Sequence, residues 1–191
     1  LVRLLPQEDV VYFGDTARLP YGAKSRETII RYSIENTTFL IQKNIKMMVV
    51  ACNTASAHAL EDLQQKFSIP MVGVIGPGAE CAVRTTRNGR IGVLGTKGTI
   101  NSQSYQRAIL QLDSKAEVFS VACPLFVPLV EEGCIDHPAA RLIAREYLQP
   151  LKERGIDTLL WGCTHYPLLE MLIRSQMGGG VEIVDSAISC A

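Results

Sequence analysis

Short apolar runs alternate with segments of helical spacing along most of this 191-residue sequence. Met47–Ala51 is a continuous apolar run, which is typical of a strand that is buried on both faces. The segment after Cys52 changes to helical spacing, and the same order of strand and helix is repeated further along the chain. Such alternation produces parallel strands joined by crossover helices. We therefore predict an α/β fold.

The polar stretch Arg84–Arg90 is the best boundary between two halves of the chain. We predict two similar lobes, each a mainly parallel sheet flanked by helices. Residues 1–84 form the first lobe, to which residues 186–191 return, and residues 85–185 form the second. The predicted strands are Val10–Phe13, Met47–Ala51, Met71–Ile75, Arg90–Leu94, Glu117–Val121, Thr158–Trp161 and Val181–Val184. The predicted helices are Ser25–Lys43 with Ser25 as N-cap, the segment after Cys52, a segment with Pro77 in its first turn, Thr99–Leu110, Pro138–Arg154 and Pro167–Met177.

The composition excludes several classes of protein. A net charge of 0 without a basic stripe argues against a nucleic-acid partner. The longest apolar stretches, such as Cys123–Val130, are far shorter than the roughly 18 residues that a membrane span needs. The six cysteines are widely spaced without a C-x-x-C pair, and Leu1–Val10 carries no secretory signal. These features predict a reducing, cytoplasmic setting without a disulfide framework.

Two of the cysteines, Cys52 and Cys163, each follow a predicted buried strand and precede a predicted helix. Ligands of open α/β sheets bind beyond the carboxyl ends of the strands, and a helix N-terminus stabilises a thiolate. Two such thiols in facing lobes suit inversion at an α-carbon, since one removes the proton and the other delivers a proton to the opposite face. The predicted active site therefore lies between the lobes. The sequence carries neither a G-x-G-x-x-G turn after a strand nor a Walker A pattern, so no cofactor is predicted.

Polar residues next to each thiol are candidate substrate anchors. Asn53, Thr54, Thr164 and His165 offer hydrogen-bond donors for a carboxylate and acceptors for an ammonium group. The alternative is structural, because Thr54 and Thr164 could serve only to cap helices.

Four blocks of the sequence together resemble bacterial glutamate racemase, of the aspartate/glutamate racemase family. They are Gly14–Gly22 (GDTARLPYG), Ala51–Ser56 (ACNTAS), Pro124–Gly133 (PLFVPLVEEG) and Gly162–Pro167 (GCTHYP). The resemblance implies that the chain interconverts L- and D-glutamate without a cofactor or metal, to supply D-glutamate for peptidoglycan. The family forms dimers of differing arrangement, so a homodimer is also expected.

The resemblance assigns roles to individual positions of this chain. Cys52 and Cys163 match the two catalytic cysteines, and Glu132 and His165 match residues that assist proton transfer near Cys163. Spacing alone does not separate Glu131 from Glu132, and Glu132 is preferred; the acidic pair could also be a solvated face. The matching substrate-binding positions are Tyr21, Gly22, Asn53, Thr54, Thr96, Thr164 and His165.

The sequence departs from the family at both ends. Family members have an upstream strand and an Asp-Ser-Gly segment, which Leu1–Glu8 does not contain. They also continue beyond Asp185–Ala187 with elements that complete the first lobe. We therefore expect an incomplete first lobe, the loss of the carboxylate that assists Cys52, and little or no racemase activity from this length of chain.

Three other functions remain open at this point. Cys163 could be the nucleophile of a hydrolase or transferase with His165 as its base, which would leave Cys52 without a role. The chain could instead be a ligand-binding or regulatory module without catalysis. A metal site on Cys163 and His165 has the weakest support, because no further ligands follow at suitable spacing.

Overall fold

The computed structural model describes residues 1–191 and contains two separate parallel sheets. In the smaller sheet, β1 (Met48–Val50) pairs with β2 (Met71–Gly73). The larger sheet has four parallel strands in the order β4-β3-β5-β6. These strands are β3 (Arg90–Gly95), β4 (Glu117–Ala122), β5 (Thr158–Gly162) and β6 (Glu182–Asp185). The predicted α/β class with parallel sheets is confirmed.

Helices connect the strands, as the alternation in the sequence predicts. They are α1 (Arg26–Ile41), α2 (Asn53–Lys66), α3 (Ile75–Thr85), α4 (Lys97–Asn101), α5 (Ser104–Leu112), α6 (Phe126–Glu131), α7 (Pro138–Glu153), α8 (Glu170–Met177) and α9 (Ser186–Cys190). Short 3-10 helices cover Thr16–Arg18, Tyr21–Ala23 and Tyr166–Leu169. Ser25 caps α1 as predicted, because its hydroxyl oxygen accepts a hydrogen bond from the Thr28 N–H at 3.3 Å. None of the helices combines the length and the apolar character that a membrane crossing requires.

Three predicted elements differ from the structure. The strand predicted at Val10–Phe13 is wrong: these residues are exposed, have no regular structure and pair with no other strand. A β-rich composition forms a strand only where a neighbour completes the ladder and the packing. The helix predicted at Thr99–Leu110 is divided into α4 and α5, because Gln103 adopts a left-handed conformation with φ of 55°. The segment predicted as a helix from Pro167 starts as a 3-10 turn before α8.

The central strand β5 is buried along its whole length and separates two parts of the core. Leu159 and Trp161 pack with residues of α7 and α8 on one side. Leu160 packs on the other side with residues of α5 and α3, including Ala79 of α3. Helix α3 falls in the residue range predicted for the first lobe, yet its buried face packs into the core of the larger sheet. The division of the chain at residue 84 stays a prediction.

Asp157 fixes the predicted boundary stretch to the start of β5. Its carboxylate accepts hydrogen bonds from the backbone N–H groups of Arg87 and Asn88, both at 2.7 Å. It also accepts from the hydroxyl groups of Thr86 at 2.6 Å and Thr158 at 3.0 Å. Burial alone would raise the pKa of Asp157, but these hydrogen bonds outweigh it and hold the pKa below its usual value. The carboxylate therefore stabilises the connection between the two sheets in its charged form.

We expect Asp157→Ala to lower the free energy of unfolding by about 1–3 kcal/mol, because the substitution leaves several donors without their acceptor. Urea denaturation of both proteins at pH 7 measures the difference. The contribution of a group whose pKa is lowered in the folded state is present above its unfolded-state pKa of about 4 and is lost as the pH falls through its folded pKa. The difference between the two proteins should thus shrink below about pH 4, and a difference that persists undiminished to about pH 2 contradicts this assignment.

Candidate active site

The two cysteines lie at the carboxyl ends of strands from different sheets. Cys52 follows β1 after one residue and occupies the N-cap position of α2. Cys163 directly follows β5 and precedes the 3-10 turn at Tyr166. In the larger sheet, the register aligns Gly95 of β3 with the end of β5, so that loops after neighbouring strands emerge at one edge. Both thiols therefore occupy the edge at which parallel sheets bind ligands.

Cys163 is buried and Cys52 is partly buried, and loss of hydration is the main influence on the acidity of both thiols. Burial raises the pKa of Cys52, while the N–H groups of Ala55 and Thr54 at the start of α2 act in the opposite direction. Burial also raises the pKa of Cys163, to about 12, with the His165 N–H opposing it. Charge on Cys52 raises the pKa of Cys163 further. In the folded chain both cysteines are thus thiols at neutral pH, and each needs a base to become a thiolate.

A chain of hydrogen-bonding groups leads away from Cys163. Its Sγ atom lies 3.8 Å from Nδ1 of His165. On the other side of the ring, Nε2 of His165 lies 2.6 Å from Oε1 of Glu131, at the end of α6. The structure therefore brings Cys163, His165 and Glu131 together in the order of an acid, a base and a carboxylate that orients the base.

The acidic residue beside His165 is Glu131 and not Glu132, which the sequence favoured. Glu131 is the last residue of α6, whereas Glu132 follows the helix and its side chain makes no hydrogen bond or ion pair in the structure. Adjacent residues on a helix differ by about 100° in direction, so only one of the two can face His165. The sequence alone could not resolve this choice, because helix α6 was not predicted.

Three threonine hydroxyl groups meet where α2 approaches the loop after β3. Thr54 Oγ1 lies 3.0 Å from Thr96 Oγ1 and 3.1 Å from Thr99 Oγ1. Thr96 and Thr99 are also 3.1 Å apart, and Thr96 caps α4. The cluster includes two predicted site residues, Thr54 and Thr96, and a third, Thr99, that the sequence analysis missed. Its hydroxyl groups link the smaller sheet to the larger one.

Tyr21 and Gly22 reach this cluster through the backbone of the turn that they form. A side chain on Gly22 would place its Cβ atom 2.3 Å from Cβ of Thr96, so only glycine allows this approach. The Tyr21 hydroxyl points elsewhere: it donates to Asp15 and accepts from the Asn36 amide at 3.1 Å. Gly22 thus packs directly against Thr96, whereas the Tyr21 hydroxyl belongs to a network with Asp15 and Asn36.

Asn53 is buried beside Cys52 and contacts two residues that the sequence analysis missed as site residues. Its Oδ1 atom accepts a hydrogen bond from Tyr105 at 2.5 Å and lies 3.3 Å from Oγ of Ser186. The spacing of Tyr105 within its helix is that of a core residue, so its sequence carried no separate signal. Thr164, by contrast, is exposed and makes no side-chain hydrogen bond in the structure.

No group of three or more His, Cys, Asp or Glu side chains converges as metal ligands require. Cys163 and His165 meet only Glu131, which contacts His165 on its far side. The residues present therefore weigh against the metal site considered from the sequence.

The raised pKa of Cys163 predicts a steep dependence of its alkylation on pH. Since only the thiolate reacts, the rate of iodoacetamide labelling of Cys163 should rise about tenfold per pH unit between about pH 7 and 10. Peptide mass spectrometry measures the rate, and the urea-unfolded chain is the control, with a plateau above its ordinary pKa of about 8.5. A plateau below pH 9 in the folded protein contradicts the assignment.

The chain is similar to known proteins along nearly its whole length. The chain matches the family of Asp/Glu/Hydantoin racemases over residues 2–190. It is 58% identical to a glutamate racemase from Geobacter metallireducens over 187 residues, which are 98% of this chain and 69% of that protein. The structure superposes on a glutamate racemase isoform from Bacillus anthracis with a TM-score of 0.95 and 44% identity, covering 99% of this chain and 71% of that one.

A glutamate racemase from Francisella tularensis, solved in complex with D-glutamate, has a TM-score of 0.91 and 37% identity over 99% of this chain and 70% of its own. The chain therefore belongs to the Asp/Glu/Hydantoin racemase family and is an isomerase of the glutamate racemase type.

Proposed function

We propose that the chain carries the site of a racemase that interconverts L- and D-glutamate with two cysteine thiols and without a cofactor. The observation that carries the proposal is the position of Cys52 and Cys163, which follow the carboxyl ends of strands from different sheets. Hydrogen bonds from the residues after Cys52 join its segment to the larger sheet's half of the molecule, through Thr54 to Thr96 and through Asn53 to Tyr105. The complex of the Francisella tularensis relative with D-glutamate supports glutamate as the substrate.

In the proposed reaction, one cysteine acts as a thiolate and the other as a thiol. The thiolate removes the α-proton of glutamate, and the electron pair of the broken C–H bond is delocalised into the α-carboxylate. The opposite thiol then donates its proton to the other face of this planar intermediate and becomes the thiolate. The roles are exchanged for the other enantiomer. Burial favours this chemistry, because a desolvated thiolate with a raised pKa is a stronger base.

His165 and Glu131 supply the base that Cys163 needs. The imidazole Nδ1 can take the thiol proton across 3.8 Å, which converts a neutral pair into a thiolate and an imidazolium. Glu131, at 2.6 Å from Nε2, stabilises the positive ring that results. A buried charge pair of this kind is less costly than an isolated buried thiolate.

The polar groups around the thiols provide anchors for the substrate. We assign the Asn53 amide and the hydroxyl groups of Thr54 and Thr96 to the α-carboxylate, since all three can donate hydrogen bonds. The exposed hydroxyl of Thr164 lies on the side of Cys163 and His165 and can contact the remaining polar groups of glutamate. We further propose that the activity supplies D-glutamate for peptidoglycan synthesis in the cytoplasm.

One observation favours a second candidate function. Cys163, His165 and Glu131 have the order and spacing of a nucleophile, a base and an orienting carboxylate, as in cysteine hydrolases. That function would leave the partly buried Cys52 without a role. It would also produce a covalent adduct on Cys163 during turnover, which intact-protein mass spectrometry would detect and which proton transfer would not form.

The two-thiol mechanism predicts that glutamate incubated with the protein in D₂O gains deuterium at the α-carbon as its configuration inverts. Cys52→Ala and Cys163→Ala should each lower inversion by at least about 10²-fold, because each substitution removes one of the two proton-transfer groups. Proton NMR follows the exchange, and chiral chromatography follows inversion. Cys81→Ala, on α3 away from the site, is the matched control and should retain activity. Normal inversion in either of the first two variants refutes the mechanism.

The contact between His165 and Glu131 predicts different effects for two neighbouring substitutions. Hydrogen bonds to charged groups contribute about 1.5–3 kcal/mol, so Glu131→Gln should lower kcat by about 10- to 100-fold. Glu132→Gln makes the same chemical change one residue away and should leave kcat within about twofold. Steady-state kinetics in both directions measures the two effects, and a larger loss from Glu132→Gln would restore the assignment made from the sequence.

A further inference from the structure

The side-chain amide of Asn53 is held on one side only. It is 2% exposed, and its Oδ1 atom accepts from the Tyr105 hydroxyl at 2.5 Å. Its Nδ2 atom is buried and has no hydrogen-bond partner within the protein. A buried donor without a partner is uncommon and carries a free-energy cost, so it calls for an explanation. The arrangement leaves the amide with a satisfied acceptor and two N–H groups that have no partner within the protein.

Tyr105 occupies a slot that is open because residue 162 is glycine. A side chain on Gly162 would place its Cβ atom 3.0 Å from Cε2 of Tyr105 and 2.8 Å from the backbone oxygen of Leu94. Gly162 directly precedes Cys163, and Asn53 directly follows Cys52. The ring of Tyr105 thus lies against the neighbour of one cysteine while its hydroxyl binds the neighbour of the other.

The Tyr105 hydroxyl is a donor under all ordinary conditions. The side chain is 2% exposed, and burial raises the pKa of its hydroxyl, which therefore keeps its proton. Ser186 adds a second hydroxyl near Asn53, but its single proton has a better acceptor in the backbone oxygen of Trp161, at 2.9 Å. Tyr105 is consequently the nearer of the two donors to the Asn53 carbonyl oxygen, at 2.5 Å against 3.3 Å for Ser186.

We propose that Tyr105 is a positioning residue for substrate binding. Its hydroxyl holds the Asn53 carbonyl oxygen, so that the Asn53 amide nitrogen is oriented as a donor to the α-carboxylate of glutamate. Tyr105 belongs to the larger sheet's half of the molecule, and Asn53 begins the helix after β1, so the same hydrogen bond ties the two cysteine-bearing segments together. This inference rests on the proposed racemase function and adds a residue to its substrate site.

Without the Tyr105 hydroxyl, the Asn53 amide has no strong donor to fix its orientation, and part of the population presents oxygen instead of nitrogen to the carboxylate. The loss of a hydrogen bond contributing about 0.5–1.5 kcal/mol corresponds to a two- to tenfold change. We therefore expect Tyr105→Phe to raise the KM for glutamate by about two- to tenfold in both directions, with kcat changed less. If Tyr105 only supported the core, the same substitution would lower the stability of the protein and leave the KM for glutamate unchanged.

A double-mutant cycle distinguishes action through Asn53 from a general effect. In an Asn53→Ala background, Tyr105→Phe should cause no further increase in KM, because the amide that it orients is absent. Tyr166→Phe is the stability control: Tyr166 is equally buried and donates to the backbone oxygen of Cys123 at 3.4 Å. Loss of the Tyr166 hydroxyl should lower the midpoint of thermal unfolding without raising the KM for glutamate.

The outcomes separate the inference from the proposed function. If the parent chain racemises glutamate and Tyr105→Phe leaves KM unchanged, or raises it equally in the Asn53→Ala background, the role of Tyr105 is wrong and the racemase function stands. If the parent chain binds glutamate without α-deuterium exchange, the catalytic function fails. In that case calorimetry measures the Kd for D-glutamate in the same double-mutant cycle. We expect Tyr105→Phe to raise this Kd by about two- to tenfold in the parent chain and not in the Asn53→Ala background. A parent chain that neither binds nor exchanges glutamate overturns both.

Discussion

The restricted hydration of two cysteine thiols, one buried and one partly buried, is the constraint on which the rest of the site depends. Each thiol follows a short parallel strand and precedes a helix or a 3-10 turn. Burial raises the pKa of both, and for Cys163 it does so to about 12. A group that has lost its hydration in this way can be charged only if the protein supplies compensating groups. The N–H groups at the start of α2, and the pair of His165 and Glu131, are those groups in this chain.

Polar side-chain contacts connect the smaller sheet to the larger one. The smaller sheet has only two strands of three residues, so its own ladder cannot fix Cys52 with respect to the larger sheet. Polar contacts do this instead: the hydroxyl cluster of Thr54, Thr96 and Thr99 on one side, and the Asn53–Tyr105 hydrogen bond on the other. Each contact joins the start of α2 to a helix that follows β3. The groups that we assign to substrate binding therefore also fix the positions of the two cysteine-bearing segments relative to each other.

Much of the fold follows from the sequence, because the signals for it are local. The strands that begin at Met48 and Thr158 are apolar runs, and the cap at Ser25 depends on residues within one turn. The false strand at Val10–Phe13 shows the limit of such signals, since local composition cannot supply a pairing partner. The positions of the two cysteines were predictable for the same reason, as each is fixed by the strand before it.

The contacts around the cysteines were less predictable because they join distant segments. The choice of Glu131 over Glu132 depends on the direction of a short helix that the sequence did not reveal. Tyr105 has the spacing of an ordinary core residue, and only the three-dimensional structure brings its hydroxyl to Asn53. Thr99 is hidden in the same way within the first turn of α4. The two cysteines can therefore be identified from the sequence, but the roles of the residues around them can be assigned only from the tertiary structure.

The central claim is that the two thiols act on opposite faces of one carbon atom. A crystal structure of the protein with D-glutamate tests this most directly, through the distances from the α-carbon to the sulfur atoms of Cys52 and Cys163. The account predicts that both distances are about 3.5 Å and that the sulfur atoms approach the carbon from opposite sides. Glutamate bound against one sulfur, with the other in a separate pocket, would contradict it.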